Sequence, residues 1–67
     1  MLIVHADGII NLDKVTAFEV NDRSSLIEFH FDYDNGWNLG FESESATLDA
    51  YDNILAAVEQ GKRVVYL

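Results

Sequence analysis

The sequence predicts an α+β fold: an antiparallel β-meander sheet of about four to six strands, with one C-terminal helix packed on one face and a short last strand. Three observations predict it. Residues Ile27 to Tyr33 alternate strictly between apolar and polar side chains, the period of a half-buried strand. Leu48, Tyr51, Ile54, Leu55 and Val58 recur at helical spacing. The chain then runs into Val64-Val65-Tyr66-Leu67, which is β-prone and apolar on both faces.

The elements follow in order. Leu2 to Val4 and Ile9 to Ile10 are short apolar runs on either side of Asp7-Gly8, a turn dipeptide. Phe18 and Val20 are the large apolar groups of Lys14 to Val20. Asn21 to Ser25 is polar and turn-like. In the next strand Ile27, Phe29, Phe31 and Tyr33 point one way, and Glu28, His30 and Asp32 the other. Trp37, Leu39 and Phe41 alternate with Asn38, Gly40 and Glu42 in a further strand.

Parity sets the expected registers. A two-residue Asn35-Gly36 loop sets Tyr33 opposite Asn38, mixing apolar and polar groups on one face. A three-residue loop, Asp34-Asn35-Gly36, pairs Tyr33 with Trp37, Phe31 with Leu39 and Phe29 with Phe41, so the apolar groups share a face. A type I turn with Gly36 in the left-handed position is the usual three-residue form. Backward along the chain, a four-residue loop from Asp22 to Ser25 sets Val20 opposite Ile27 and Phe18 opposite Phe29. An aromatic row Phe18–Phe29–Phe41 is then expected across the buried face.

For the helix, Ser43 and Ser45 are candidate N-caps. Glu42, Glu44 and Asp49 near its start and Lys62-Arg63 past its end suit the helix dipole. Gly61 is expected to end it in a left-handed conformation. Leu48, Tyr51, Ile54, Leu55 and Val58 form the apolar arc, and Ala46, Ala50 and Ala57 widen it on one flank. That breadth exceeds the stripe one buried face requires. The last strand is expected to pair with the N-terminal strand or with another chain, because an apolar chain end is tied down in a sheet.

Composition narrows the function classes. The chain has 67 residues, 49% of them hydrophobic, with no cysteine and no proline. That is room for a single domain, 1–67, stabilised by neither disulfide nor cysteine-bound zinc. A chain of this length buries only about 60% of the surface its unfolded form exposes. The core must therefore be unusually good, or a second copy must help to build it; a homodimer is the leading reading. Four Lys and Arg stand against twelve Asp and Glu, for a net charge of −8. This argues against direct phosphate binding, and no direct nucleic acid partner is expected, since phosphate affinity comes mainly from Lys and Arg. The first residues, Met1 to Asp7, are too short an apolar run for a signal peptide or a membrane span. No membrane association and a cytoplasmic location are the expectation.

The expected register lines up three carboxylates on the outer face: Glu19 opposite Glu28, and Glu28 opposite Glu42, with His30 beside them. Like charges directly opposite destabilise a sheet by up to about 1 kcal/mol per pair. A solvated face screened by water and salt is the ordinary state of such a row. The other readings are a basic protein partner, mimicry of the charge of DNA, and a divalent cation held by oxygen ligands with His30. No metal and no cofactor is assigned.

An enzyme is not expected. Neither His5 nor His30 has a nucleophile at a motif spacing, and Ser24-Ser25 lack elbow glycines. Gly8, Gly36, Gly40 and Gly61 form no phosphate loop. Counted from Asp32, Gly36 falls at position five where a calcium loop needs six, and Ser43 stands where it needs Glu. The candidate interface residues are Trp37, Ala50, Ala57, Val65 and Leu67. Trp37 either caps the core or serves as an interface anchor. The chain is thus read as a self-associating protein–protein interaction module, with an acidic face for a cation or basic partner as the alternative.

The run Gly8-Ile9-Ile10-Asn11-Leu12-Asp13-Lys14-Val15-Thr16-Ala17-Phe18-Glu19 resembles the opening of small bacterial and phage-borne proteins of unknown function. The flagellar FlbD-like proteins are similar at the same Gly-x-x-Asn-x-Asp step. Leu12 stands where those proteins have proline. The resemblance covers about a fifth of the chain. It implies a short β-rich scaffold of bacterial or phage origin and carries no activity with it.

Overall fold

The computed structural model describes residues 1–21, 23–32 and 36–67. In chain order it contains β1 (Leu2–His5), β2 (Gly8–Asn11), a 3-10 turn (Leu12–Lys14), β3 (Val15–Asn21), β4 (Leu26–Phe31), β5 (Trp37–Gly40), α1 (Glu44–Glu59) and β6 (Val64–Tyr66). The fold is α+β, with the expected meander, C-terminal helix and short last strand. The six strands divide into two three-stranded sheets, ordered β2-β1-β6 and β3-β4-β5.

In the first sheet His5 pairs with Gly8, so the hairpin turns through Ala6 and Asp7 and Gly8 opens β2. Gly8 has φ of 153°, a backbone that favours glycine. A Cβ at Gly8 would also lie 3.1 Å from the indole of Trp37. The last strand pairs with the N-terminal strand. β6 runs parallel to β1, with Ile3 facing Val65. Arg63 O accepts from Leu2 N at 2.7 Å, and Leu67 N donates to Val4 O at 2.9 Å.

In the second sheet the β3–β4 register is the expected one: Val20 faces Ile27, Phe18 faces Phe29, and Asn21 faces Leu26. A register shift between Val15 and Ala17 leaves Thr16 as an extra residue. Its hydroxyl donates to His30 O at 3.0 Å, occupying a carbonyl where the ladder is interrupted.

The β4–β5 register differs from expectation. Phe29 faces Trp37, not Phe41, and Ile27, not Phe31, faces Leu39. Because the difference is an even number of residues, the same side chains still point inward. Ile27, Phe29 and Leu39 are all fully buried. Gly36 fits this register because a Cβ there would meet Phe29 O at 2.6 Å. The turn residues Asp34 and Asn35, and the pair expected of Tyr33, lie outside the described residues. The aromatic row is therefore Phe18–Phe29–Trp37. Phe41 instead meets His5 edge to face, ring centres 5.0 Å apart.

Ser43 is the N-cap of α1, its Oγ accepting from Ala46 N at 3.1 Å. At the other end Gly61 has φ of 66°. Gly61 N donates to Val58 O and Lys62 N to Ala57 O, the paired bonds of a Schellman motif. Both caps match the sequence pattern; the helix's rotation does not. The buried stripe is Thr47, Ala50, Ile54 and Ala57, while Leu48, Leu55 and Val58 are 42%, 39% and 47% exposed. Small side chains on the inward face let the helix approach β3, β4 and β6 closely. Thr47 is fully buried because its hydroxyl donates to Ser43 O at 2.7 Å, which removes the penalty of an unsatisfied polar group. Ile3, Ile10, Ile27, Phe29, Leu39, Ala50 and Ile54 make one core joining both sheets to the helix.

Candidate functional site

The outer face of β3 and β4 carries the acidic patch. Glu19 and Glu28 are directly opposite one another, and His30 faces Ala17 one row along. His30 Nε2 donates to Glu19 Oε1 at 3.2 Å. Asn21 Nδ2 donates to Glu28 Oε2 at 2.9 Å. Each carboxylate therefore has its own hydrogen-bond donor, and this offsets the repulsion expected between them. One potential metal-ligating atom from each of Glu19, Glu28 and His30 lies within 4.8 Å of the other two. Glu19 is exposed, and Glu28 and His30 are half-buried.

Glu42 is not part of this patch. Asn38, not Glu42, faces Glu28, and Glu42 lies exposed beyond the end of β5. The cause is the β4–β5 register: the slip that brings Trp37 to Phe29 carries Glu42 out of the sheet. The row that the sequence placed as three carboxylates is thus Glu19, Glu28 and an amide.

The interface candidates separate into two groups. Ala50 and Ala57 are buried within the protomer, so the alanine flank serves the chain's own core and is not free for a second subunit. Val65 and Leu67 are half-buried and pack against that same core. Trp37 is 46% exposed and lies over Gly8, where it covers the β1–β2 turn. Tyr66, which sequence reasoning did not single out, is the most exposed large apolar side chain described, at 76%. The period-two alternation of 64–67 contains the signal: when Val65 and Leu67 turn inward, Tyr66 must turn outward.

Asp7 ties the two sheets together on this side. Its Oδ2 accepts from Gly40 N at 3.3 Å, and its own N–H donates to His5 Nδ1 at 2.9 Å. His5 is thereby held as a structural residue between the β1–β2 turn and Phe41. No family model, curated protein or solved structure matches the chain.

Proposed function

We propose that this protein is a self-associating interaction module whose copies pair along β6. The observation that carries the reading is an open edge. Among the described residues, β6 has β1 on one side and no strand on the other. Arg63 and Leu67 direct their backbone groups to β1. Alternate residues of a strand direct theirs to opposite sides, so Val64 and Tyr66 present N–H and C=O groups outward. Unpaired edge groups of this kind template pairing with another chain.

A two-fold axis at Val65 sets Val64 against the partner's Tyr66, and Tyr66 against the partner's Val64, in an isologous contact. Beside this edge lies a groove of about 400 Å³ bordered by Asn53, Ala56, Gln60 and Tyr66. Residues 60–67 include Lys62 and Arg63 and no acidic side chain. The β6 edge is thus where two copies of a protein of charge −8 meet with least repulsion.

Sedimentation at micromolar protein is expected to show a dimer. Tyr66→Pro removes an outward N–H and leaves the bonds to β1 in place, a position where edge strands tolerate proline. It is expected to give a folded monomer. A stable wild-type monomer, or a dimer indifferent to Tyr66→Pro, would overturn the proposal.

A second reading is favoured by the convergence of Glu19, Glu28 and His30. Two carboxylates and an imidazole within 4.8 Å suit a divalent transition metal. Ligand binding to the native state raises its stability in proportion to the logarithm of ligand concentration. In about 1 mM Zn²⁺ or Mn²⁺ a Tm rise of several degrees is expected, abolished by Glu28→Gln. An unmoved Tm would remove this reading.

A further inference from the structure

We infer that the exposed face of α1, with the groove between it and β3, receives a cationic amphipathic helix from a different protein. The helix packs on the sheets through Thr47, Ala50, Ile54 and Ala57 and leaves Leu48, Leu55 and Val58 outside. Glu44, Leu48, Asp52, Leu55 and Glu59 follow one another at spacings of three and four, which places them on one face. All five are exposed. The face is an apolar ridge interleaved with acids. Leu48 and Leu55 are seven residues apart, which is about 10.5 Å along the axis. That is the spacing of successive anchors on a docked amphipathic helix.

Beside Leu55 the surface falls into a concavity of about 330 Å³ whose walls include Leu12, Val15, Ala17, Phe18 and Tyr51. At the other end of the ridge Glu44, Ser45, Leu48 and Asp49 form an open, shallow patch.

Charge decides the occupant. α1 carries Glu44, Asp49, Asp52 and Glu59 and no basic residue. None of the four makes an ion pair among the described residues. A second copy docked face to face would set acids against acids, which is strongly unfavourable. A partner helix with Leu at heptad spacing and Lys or Arg between would place apolar groups against Leu48 and in the concavity beside Leu55, and cations against Glu44, Asp52 and Glu59. The surface is distinct from the β6 edge, so Tyr66→Pro is expected to leave this binding unchanged.

The test uses fluorescence anisotropy with a labelled Leu/Lys amphipathic peptide of about 16 residues, long enough to form a helix. A comparator carries Glu in place of every Lys. The cationic peptide is expected to bind the full chain, more weakly as salt rises, and the acidic one not to bind. Leu48→Ser with Leu55→Ser is expected to weaken binding about tenfold or more. Glu44→Gln, Asp52→Asn and Glu59→Gln together are expected to do the same and to flatten the salt dependence. Glu19→Gln with Glu28→Gln is expected to leave affinity within about twofold.

Failure of the cationic peptide to bind would overturn the inference. So would an equal loss in the Glu19/Glu28 variant, which would reveal diffuse attraction to an acidic protein. Dissociation of a wild-type dimer by the Leu48/Leu55 substitutions would overturn it too, by assigning the face to a second copy.

Discussion

Replacing Phe29 with alanine is expected to remove much or all of the protein's stability. Phe29 is fully buried in the central strand of the second sheet. It faces Phe18 across β3 and Trp37 across β5, and stacks on the Phe18 ring at a centroid distance of 5.7 Å. Truncating a buried phenylalanine costs about 3–5 kcal/mol, from lost transfer energy and from the cavity left behind. Folded proteins hold about 0.05–0.15 kcal/mol per residue, so a chain of 67 residues has about 3–10 kcal/mol to lose. The expected cost therefore consumes much or all of the stability. Urea titration followed by far-UV circular dichroism measures it. A loss below about 1 kcal/mol would mean that the site repacks, or that Phe29 is not at the centre of the core.

The second large effect is a contrast between neighbours. Ile54→Ala is expected to cost about 2–5 kcal/mol, and Leu55→Ala less than about 1 kcal/mol. Ile54 is fully buried and Leu55 is 39% exposed. The two side chains are similar in size and apolarity, so the difference reports the rotation of α1 alone. Thermal or urea unfolding of the two variants side by side gives the answer. Equal losses would place the helix in the rotation its hydrophobic periodicity predicts, with Leu48, Leu55 and Val58 inward, and would remove the apolar ridge from the surface.

Those predictions also mark where the sequence was legible. The β3–β4 pairing could be read residue by residue, because only a four-residue loop brings Phe18 and Val20 opposite Phe29 and Ile27. The helix caps could be read as well: Ser43 and Gly61 are of the types that supply a side-chain acceptor and a left-handed backbone. The β4–β5 pairing could not. Alternation identifies which face is apolar but treats every even slip alike, since each keeps Leu39 and Trp37 on that face. The choice among slips rests on packing that alternation does not encode: Gly36 against the Phe29 carbonyl within the hairpin, and Trp37 over Gly8 from a distant part of the chain. The same slip took Glu42 out of the acidic patch, which left Glu19, Glu28 and His30.

Sequence alone determined the α+β class, the meander, the helix with its two ends, and the acidic pair on the outer face of β3 and β4. All of these follow from local periodicity, capping chemistry and parity, which act over a few residues. Tertiary structure decided the division into two sheets, the β4–β5 register, the parallel seat of β6 beside β1, and which side of α1 is buried. The last is the most consequential for binding. Hydrophobicity favours burying Leu48, Leu55 and Val58, but close packing on the sheets favours the narrower side formed by Thr47, Ala50 and Ala57 around Ile54. Close packing prevails because each small residue allows the backbone nearer and so increases contact over the whole interface. The larger apolar groups are left on the surface, set among acids.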